Sequence, residues 1–181
     1  MARVAIIMAD GFEEIEAITL IDVLRRGGIE VTTAGVDGDL PRGAHGISVR
    51  TDTLLAQITE AAFDLVVLPG GGPNARTLRE HPGVLALLQR QVAAGRPVAA
   101  ICAAPTALAA AGLLQGKRAT CYPGFEGMLT GAVLSQDAVV EDGLVTTSRG
   151  PATALAFALH LTEALVGAEV AARVRRDLLV P

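Results

Sequence analysis

Length, composition and charge already limit what this chain does. It has 181 residues, of which 51% are hydrophobic and 19% charged, and this predicts one compact domain over residues 1–181 and excludes a disordered chain. Fifteen basic against nineteen acidic residues leave a net charge of −4, and aromatic residues make up only 3%. A negative charge and few stacking side chains argue against nucleic acid as a partner.

Apolar patterns of strand and helix period alternate from the N-terminus onward. In the first part of the chain they predict a strand at 4–8, a helix at 13–26, a strand at 29–36 and a loop or short hairpin at 37–46. The middle part follows with a strand at 63–68, helices at 75–80 and 84–94, a strand at 97–101 and a helix from about 103. The last part has edge strands at 118–122 and 137–147 and helices at 151–166 and 169–179. Asp10 is predicted to cap the first helix, and Gly27 and Gly28 to end it. The alternation predicts an α/β fold with a mainly parallel sheet and helices on both faces.

The N-terminal apolar run is too short for a signal peptide or a membrane-spanning helix. We therefore expect a cytoplasmic protein without a membrane partner. The two cysteines, Cys102 and Cys121, are too few for the disulfide framework of a secreted protein, so reactivity or packing explains them better.

Cys102 stands where a buried strand turns abruptly into a helix. The first N–H groups and the dipole of a helix favour a thiolate, and residues 81–125 contain no acid but four basic side chains, Arg90, Arg96, Lys117 and Arg118. The alternative is a buried structural cysteine, since free cysteines are among the most buried residues. For Cys121, which no helix start follows, packing is the preferred interpretation.

The glycine run after the strand at 63–68 has two interpretations. GGGPNA at 70–75 formally fits a dinucleotide-binding fingerprint, but Pro73 lacks an N–H and no acid follows about 20 residues on. We prefer a tight turn at the carboxyl end of the sheet, with backbone N–H groups free to stabilise an oxyanion beside Cys102. No cofactor is expected.

Acidic residues after the first strand supply a candidate proton carrier. Glu13 and Glu14 are explained by the helix dipole, whereas Glu16 lies deeper among apolar residues, where its pKa would be raised near a thiolate. Such a carboxyl group can carry a proton to or from a substrate carbon. The three histidines, His45, His81 and His160, show no metal-ligand spacing, so no metal is expected.

Five separated segments resemble a known family. They are ADGFEEIE at 9–16, DVLRRGGI at 22–29, LPGG at 68–71, AAICAAPTAL at 99–108 and TSRGP at 147–151. In this order they are similar to the ThiJ/PfpI superfamily, and within it to the DJ-one branch. The resemblance implies a flavodoxin-like three-layer α/β sandwich of the class I glutamine amidotransferase type, with the nucleophile on an elbow at Cys102, and a homodimer.

The resemblance also assigns roles to residues. Cys102 corresponds to the reactive, oxidation-prone cysteine, Glu16 to the acid bonded to it, and Gly71 and Ala103 to N–H donors for an oxyanion. Secondary site candidates are Gly70, Tyr122, Arg149 and Pro151. Members are described as glutathione-independent glyoxalases that convert methylglyoxal to lactate, as protein deglycases, and as redox sensors or chaperones.

Some positions depart from the family pattern. The protease-like branch has His where this chain has Ala103, which disfavours a cysteine peptidase. Tyr122 replaces a His of the human-like members, and His45 stands where some relatives have an interface Arg, while Arg26 matches a second one. We expect a cofactor-independent glyoxalase or deglycase acting on small 2-oxoaldehydes. The alternatives are a redox-sensing chaperone without multiple turnover and a structural member with an inactive site.

Overall fold

The structure is a computed structural model that describes residues 1–180. Its strands are β1 (Arg3–Met8), β2 (Glu30–Gly35), β3 (Thr53–Leu54), β4 (Leu65–Leu68), β5 (Val98–Ile101), β6 (Arg118–Ala119), β7 (Val133–Leu134), β8 (Val139–Asp142) and β9 (Val145–Ser148). Its helices are α1 (Glu14–Arg26), α2 (Leu55–Ile58), α3 (Gly72–Glu80), α4 (Pro82–Ala93), α5 (Pro105–Ala110), α6 (Ala154–Val166) and α7 (Ala168–Asp177). Short 3₁₀ turns cover Glu126–Met128 and Pro151–Thr153.

Seven strands form one sheet in the order β3-β2-β1-β4-β5-β9-β8. All neighbours are parallel except the edge pair β8 and β9, and β6 pairs with β7 in a separate two-stranded sheet. Strands β4 and β5 are apolar and buried throughout, as expected of parallel strands covered on both faces. From β1 the chain adds β2 and β3 on one side of the sheet, and it then crosses to the other side of β1 to add β4. The topological switch point therefore lies between β1 and β4.

Two apolar layers pack on opposite faces of the sheet. Alternate residues of β1 divide between them: Val4, Ile6 and Met8 face α1 and α6, whereas Ala5 and Ile7 face α3, α4 and α5. The predicted three-layer α/β sandwich is therefore confirmed. No helix within residues 1–180 combines the length and apolarity needed to cross a membrane.

The local predictions need five corrections. Asp10 does not cap α1; its carboxylate accepts a hydrogen bond from the Arg42 N–H at 2.8 Å, and Glu13 precedes the helix without a side-chain cap. Strand β3 and helix α2 were not predicted because each is too short to show a period. The predicted strand at 137–147 is two strands that turn at Gly143, whose φ is +64°. The predicted strand at 118–122 shortens to β6, and Pro151 opens a 3₁₀ turn before α6.

Candidate active site

Three strand ends meet at one edge of the sheet and bring the candidate site together. After β1 the chain enters α1, which carries Glu16 in its first turn; after β4 it forms the glycine turn at Gly70 and Gly71; after β5 it reaches Cys102. Since β1, β4 and β5 are neighbours in the sheet, residues 86 positions apart converge without any local sequence signal. The site lies at the carboxyl edge of the sheet, where the sequence predicted it, and β1 and β4 at this edge flank the topological switch point.

Cys102 occupies a strained turn between β5 and α5. Its φ is +66°, a left-handed conformation that is rare for residues other than glycine. Hydrogen bonds on both sides hold it there: its N–H donates to the Ser148 carbonyl at 3.0 Å, and its carbonyl accepts from the Tyr122 N–H at 2.9 Å. This sharp turn presents the thiol at the sheet edge, although the residue is only 9% exposed.

Glu16 is completely buried next to this thiol. Its Oε2 accepts a hydrogen bond from the Gly70 N–H at 2.8 Å, which fixes the carboxyl group against the glycine turn. Its Oε1 is buried and has no hydrogen-bond partner within residues 1–180. The Cys102 thiol lies beside this carboxyl group, close enough for each group to affect the pKa of the other.

Burial controls the protonation of both groups. It raises the pKa of Glu16 to about 7, although hydrogen bonds from Gly70 and Cys102 act in the opposite direction. Burial, with the negative charge of Glu16, raises the pKa of Cys102 to about 12, against the lowering effect of the Gly71 and Ala103 N–H groups. Above about pH 7 the pair therefore holds one negative charge, and a proton passed from sulfur to the carboxyl group would move that charge onto the sulfur.

A thiolate was expected at Cys102, and this prediction is wrong for the protein without substrate, because burial raises the pKa of the thiol. The basic residues near it in sequence point elsewhere: Arg90 pairs with Glu60, Lys117 with Asp142 and Arg118 with Asp137. Arg96 donates to the side chain of Gln91. Only the two backbone N–H groups favour the thiolate, and burial outweighs them. The raised pKa of Glu16 agrees with its predicted direction.

The glycine turn has no room for a side chain at Gly70 or Gly71. A Cβ on Gly70 would overlap the Glu16 carboxylate and lie 2.5 Å from the Cys102 Cβ. Gly71 has φ +94°, and a Cβ there would overlap the Gly11 carbonyl. Both positions need glycine for the carboxyl group, the thiol and the Gly71 N–H to meet.

Asn74 is a positioning residue that the sequence did not single out. Although it is a polar side chain, it is fully buried. Its Oδ1 accepts from the Ala9 N–H at 2.7 Å, and its Nδ2 donates to the carbonyls of Pro69 at 2.8 Å and Gly70 at 3.0 Å. It thus ties the end of β1 to the glycine turn after β4. Its position two residues after the glycine run was the one feature of the sequence that could have pointed to this role.

The secondary candidates Tyr122, Arg149 and Pro151 make different contacts near the cysteine. Tyr122 is 45% exposed and packs against Gly150, and its backbone N–H holds the Cys102 carbonyl. Arg149 donates to the Gln136 carbonyl at 3.0 Å and lines a separate small cavity with Cys121. Pro151 begins the 3₁₀ turn that leads into α6.

The two interface candidates lie on the outer surface. Arg26 donates to the Asp22 carboxylate at 2.7 Å, one turn earlier on α1. His45 bonds through Nδ1 to Glu14 at 2.9 Å, and Glu13 lies 3.8 Å away. Glu13, Glu14 and His45 offer metal-ligand atoms within 4.8 Å of one another. The hydrogen bonds between His45 and Glu14 already account for this grouping.

A strained cysteine elbow with a buried glutamate at the edge of a parallel sheet defines a class of cysteine-dependent flavodoxin-like proteins. Residues 2–164 match the DJ-1/PfpI family, so the chain belongs to this family, and the resemblance seen in the sequence is confirmed. The fold is shared as well: the crystal structure of Drosophila melanogaster DJ-1beta superposes with a TM-score of 0.95 and 42% identity, covering 99% of this chain and 98% of that one.

Two curated relatives differ in how much of their length is matched. Protein DJ-1 homolog B of Arabidopsis thaliana is 44% identical over 98% of this chain, but the chain spans only 41% of that relative. A Caenorhabditis elegans relative, 40% identical over 87% of this chain and 84% of its own length, is named glutathione-independent glyoxalase DJR-1.2. The family therefore includes a named glyoxalase of similar length.

Proposed function

We propose that this protein is a glutathione-independent glyoxalase that converts small 2-oxoaldehydes such as methylglyoxal to 2-hydroxy acids. The observation that carries the proposal is the fully buried Glu16 carboxyl group, raised in pKa and placed against the Cys102 thiol with one oxygen unpartnered. A nucleophile and a proton carrier of pKa near 7 are the two groups that this isomerisation needs. The name of the nematode relative supports the same reaction.

The reaction begins with a proton moving from the Cys102 thiol to Glu16 while sulfur attacks the aldehyde carbon. The N–H groups of Gly71 and Ala103, which already point at the sulfur, stabilise the oxyanion until Glu16 returns the proton and a hemithioacetal forms. Because the sulfur and both donors are fixed before substrate arrives, little reorganisation is needed at this step.

Glu16 then moves a proton between the two substrate carbons. It removes the C–H proton of the former aldehyde carbon to give an enediol, and it delivers that proton to the neighbouring carbon as the hemithioacetal becomes a thioester. The hydroxyl proton passes between the two substrate oxygens. Water hydrolyses the thioester to the 2-hydroxy acid and restores the thiol, so one water is consumed and no outside oxidant or reductant is required.

The test is lactate formation from methylglyoxal by the purified protein without glutathione. We expect many equivalents of lactate per chain from the wild type and less than one from Cys102→Ser. Cys121→Ser is the matched control, since Cys121 is the other buried free cysteine and lies away from Glu16 in a separate cavity; it should keep full activity. Equal activity of wild type and Cys102→Ser would contradict the proposal.

A second function, redox sensing, is favoured by the same unpartnered oxygen. A Cys102 sulfinate would need hydrogen-bond donors, and a protonated Glu16 together with the Gly71 and Ala103 N–H groups would supply them. This alternative predicts stoichiometric oxidation of Cys102 at low peroxide and no multiple turnover with any aldehyde. Lactate below one equivalent per chain, with Cys102 readily oxidised, would decide for the sensor.

A further inference from the structure

A cavity of about 570 Å³ lies next to the glycine turn, between α3 and the start of α5. It begins at Gly72, which directly follows the N–H donor Gly71, and at Thr106, four residues after Cys102. The proposed reaction uses none of its side chains. Methylglyoxal, with three carbons, is far smaller than this space, so the cavity has room for a longer substrate chain beyond the two carbonyl groups.

Arginine side chains give this cavity a positive wall. Arg76 and Arg79 both line it, and none of the lining residues found within residues 1–180 is acidic. Arg76 is exposed and makes no hydrogen bond or ion pair with the described part of the chain, whereas Arg79 pairs with Glu80 at 3.1 Å and also donates to the Met128 sulfur at 3.5 Å. Because Glu80 offsets Arg79, the local charge is close to +1, which matches a carboxylate.

The remaining wall is apolar. Pro73, Phe125 and Met128 line it and can pack against methylene groups. Arg76 lies four residues after Gly72 on α3, so its Cα is about 6 Å further along the helix axis from the glycine turn. Between the glycine turn and Arg76 the cavity therefore offers an apolar wall along which a short aliphatic chain can lie.

We propose that this cavity is a carboxylate subsite, and that the preferred substrates are 2-oxoaldehydes whose aliphatic chain ends in a carboxylate. The inference rests on the proposed glyoxalase function and specifies its substrate class. The aldehyde carbon is oxidised to the acid and the ketone carbon is reduced to the alcohol with addition of one water, so the distal carboxylate is unchanged by the reaction. Its role is to bind Arg76 and orient the chain.

The first test compares kcat/KM for 4,5-dioxopentanoate with that for 2-oxopentanal, the neutral analogue of equal chain length. We expect the wild type to prefer the anion about five- to tenfold, a moderate value because the guanidinium is exposed. Arg76→Gln should abolish the preference while leaving methylglyoxal turnover unchanged, and Arg76→Lys should keep part of it. Arg173→Gln, which removes an exposed arginine from α7, is the control and should keep the full preference.

A second measurement needs no turnover. The rate at which iodoacetamide alkylates Cys102 is followed by peptide mass spectrometry in the presence of 4-oxopentanoate or of 2-pentanone. We expect stronger protection by the anion in the wild type and equal protection in Arg76→Gln. Turnover of methylglyoxal without any anion preference, or equal protection in the wild type, would overturn the subsite. If neither aldehyde turns over but the anion still protects through Arg76, the subsite stands and the glyoxalase proposal fails.

Discussion

At the scale of single residues, the site depends on a carboxyl group and a thiol that share one buried charge. Burial raises the pKa of both Glu16 and Cys102; Glu16 raises the pKa of Cys102 further, whereas Cys102 lowers the pKa of Glu16. Neither the helix start nor neighbouring arginines activate the thiol, so Glu16 has to take its proton directly. The nucleophile is thus available only when Glu16 is free to accept a proton.

This coupling sets the pH dependence of the reaction. Below about pH 7 Glu16 is protonated and cannot accept the thiol proton, so we expect kcat/KM for methylglyoxal to rise with pH and level off above an apparent pKa near 7. The measurement is a pH–rate profile between pH 5 and 9. A rate independent of pH through this range would show that Glu16 is not the proton acceptor.

Replacing Glu16 with Gln is expected to separate activity from stability. Turnover should fall by at least about 100-fold, since Glu16 is the carboxyl group that acts on the thiol within residues 1–180. The folded-state pKa near 7 lies above the ordinary 4.5, so wild-type stability falls as pH rises between these values, by up to about 3 kcal/mol.

The Gln side chain lacks this titration, so the stability of E16Q relative to the wild type should increase from pH 5 to pH 8. Urea unfolding at the two pH values measures the difference. A variant that is equally active, or whose relative stability does not change with pH, would contradict the assignment.

At the scale of elements, the turn between β4 and α3 is the part that joins the other two strand ends. Gly70 carries the N–H that binds Glu16, and its carbonyl accepts from both the Glu13 N–H and Asn74. One turn therefore fixes α1, α3 and the Glu16 carboxyl group relative to one another. Small changes in this turn should affect the chemistry more than equal changes elsewhere on the surface.

Gly70→Ala should displace Glu16 from Cys102, because the added Cβ would overlap both side chains. We expect a loss of about tenfold or more in kcat and a destabilisation of about 1–3 kcal/mol. Gly38→Ala is the control, since a Cβ there meets no atom within 4 Å. Activity assays and thermal unfolding compare the two variants, and equal behaviour would rule out the steric argument.

Asn74→Ala should leave the Ala9 N–H and two carbonyl groups without their partner. Unsatisfied buried groups of this kind cost about 1–3 kcal/mol each when water cannot replace the lost partner. We expect lower stability and a reduced kcat with little change in KM for methylglyoxal, because Asn74 positions the turn and does not touch substrate. Wild-type kcat in a destabilised variant would assign Asn74 to folding alone.

At the scale of the whole molecule, an apolar stripe on α1 is left exposed by the described residues 1–180. Ile15 is 57% exposed and Ile18 is 44% exposed, and Ile47, bonded through its N–H to Glu14 beside them, is 57% exposed. Asp22 and Arg26 continue the same helix face at the following turns. We propose that this face is the interface of a homodimer, since a two-fold contact would bury the same stripe from both copies.

Light scattering tests the dimer. We expect the wild type to have twice the 18.5 kDa mass of one chain, and Ile18→Lys to be monomeric at the same concentration because a charge would be buried in the contact. Val133→Lys, at an exposed apolar residue located on β7, is the control and should remain dimeric. A monomeric wild type, or a dimeric Ile18→Lys, would contradict this interface.

The sequence by itself determined the α/β class and the carboxyl-edge location of Cys102 and the glycine turn, and it made Glu16 a candidate proton carrier; the bond between Glu16 and Cys102 was implied by the family resemblance. Runs such as 63–68 and 97–101 are apolar because both faces of a parallel strand are covered, and that pattern is readable from order alone. The family resemblance added the elbow. Short elements such as β3 and α2 were out of reach, since two to four residues show no period.

Only the tertiary structure decided the electrostatics and the supports of the site. Whether Cys102 is a thiol or a thiolate depends on burial and on where Arg90, Lys117 and Arg118 point, and sequence proximity misjudged both. The Asn74 side chain bonds to Ala9, which lies 65 residues earlier in the chain, and no local pattern encodes this contact. Desolvation and long-range hydrogen bonds arise from packing between elements, and they exist only once the sheet has assembled.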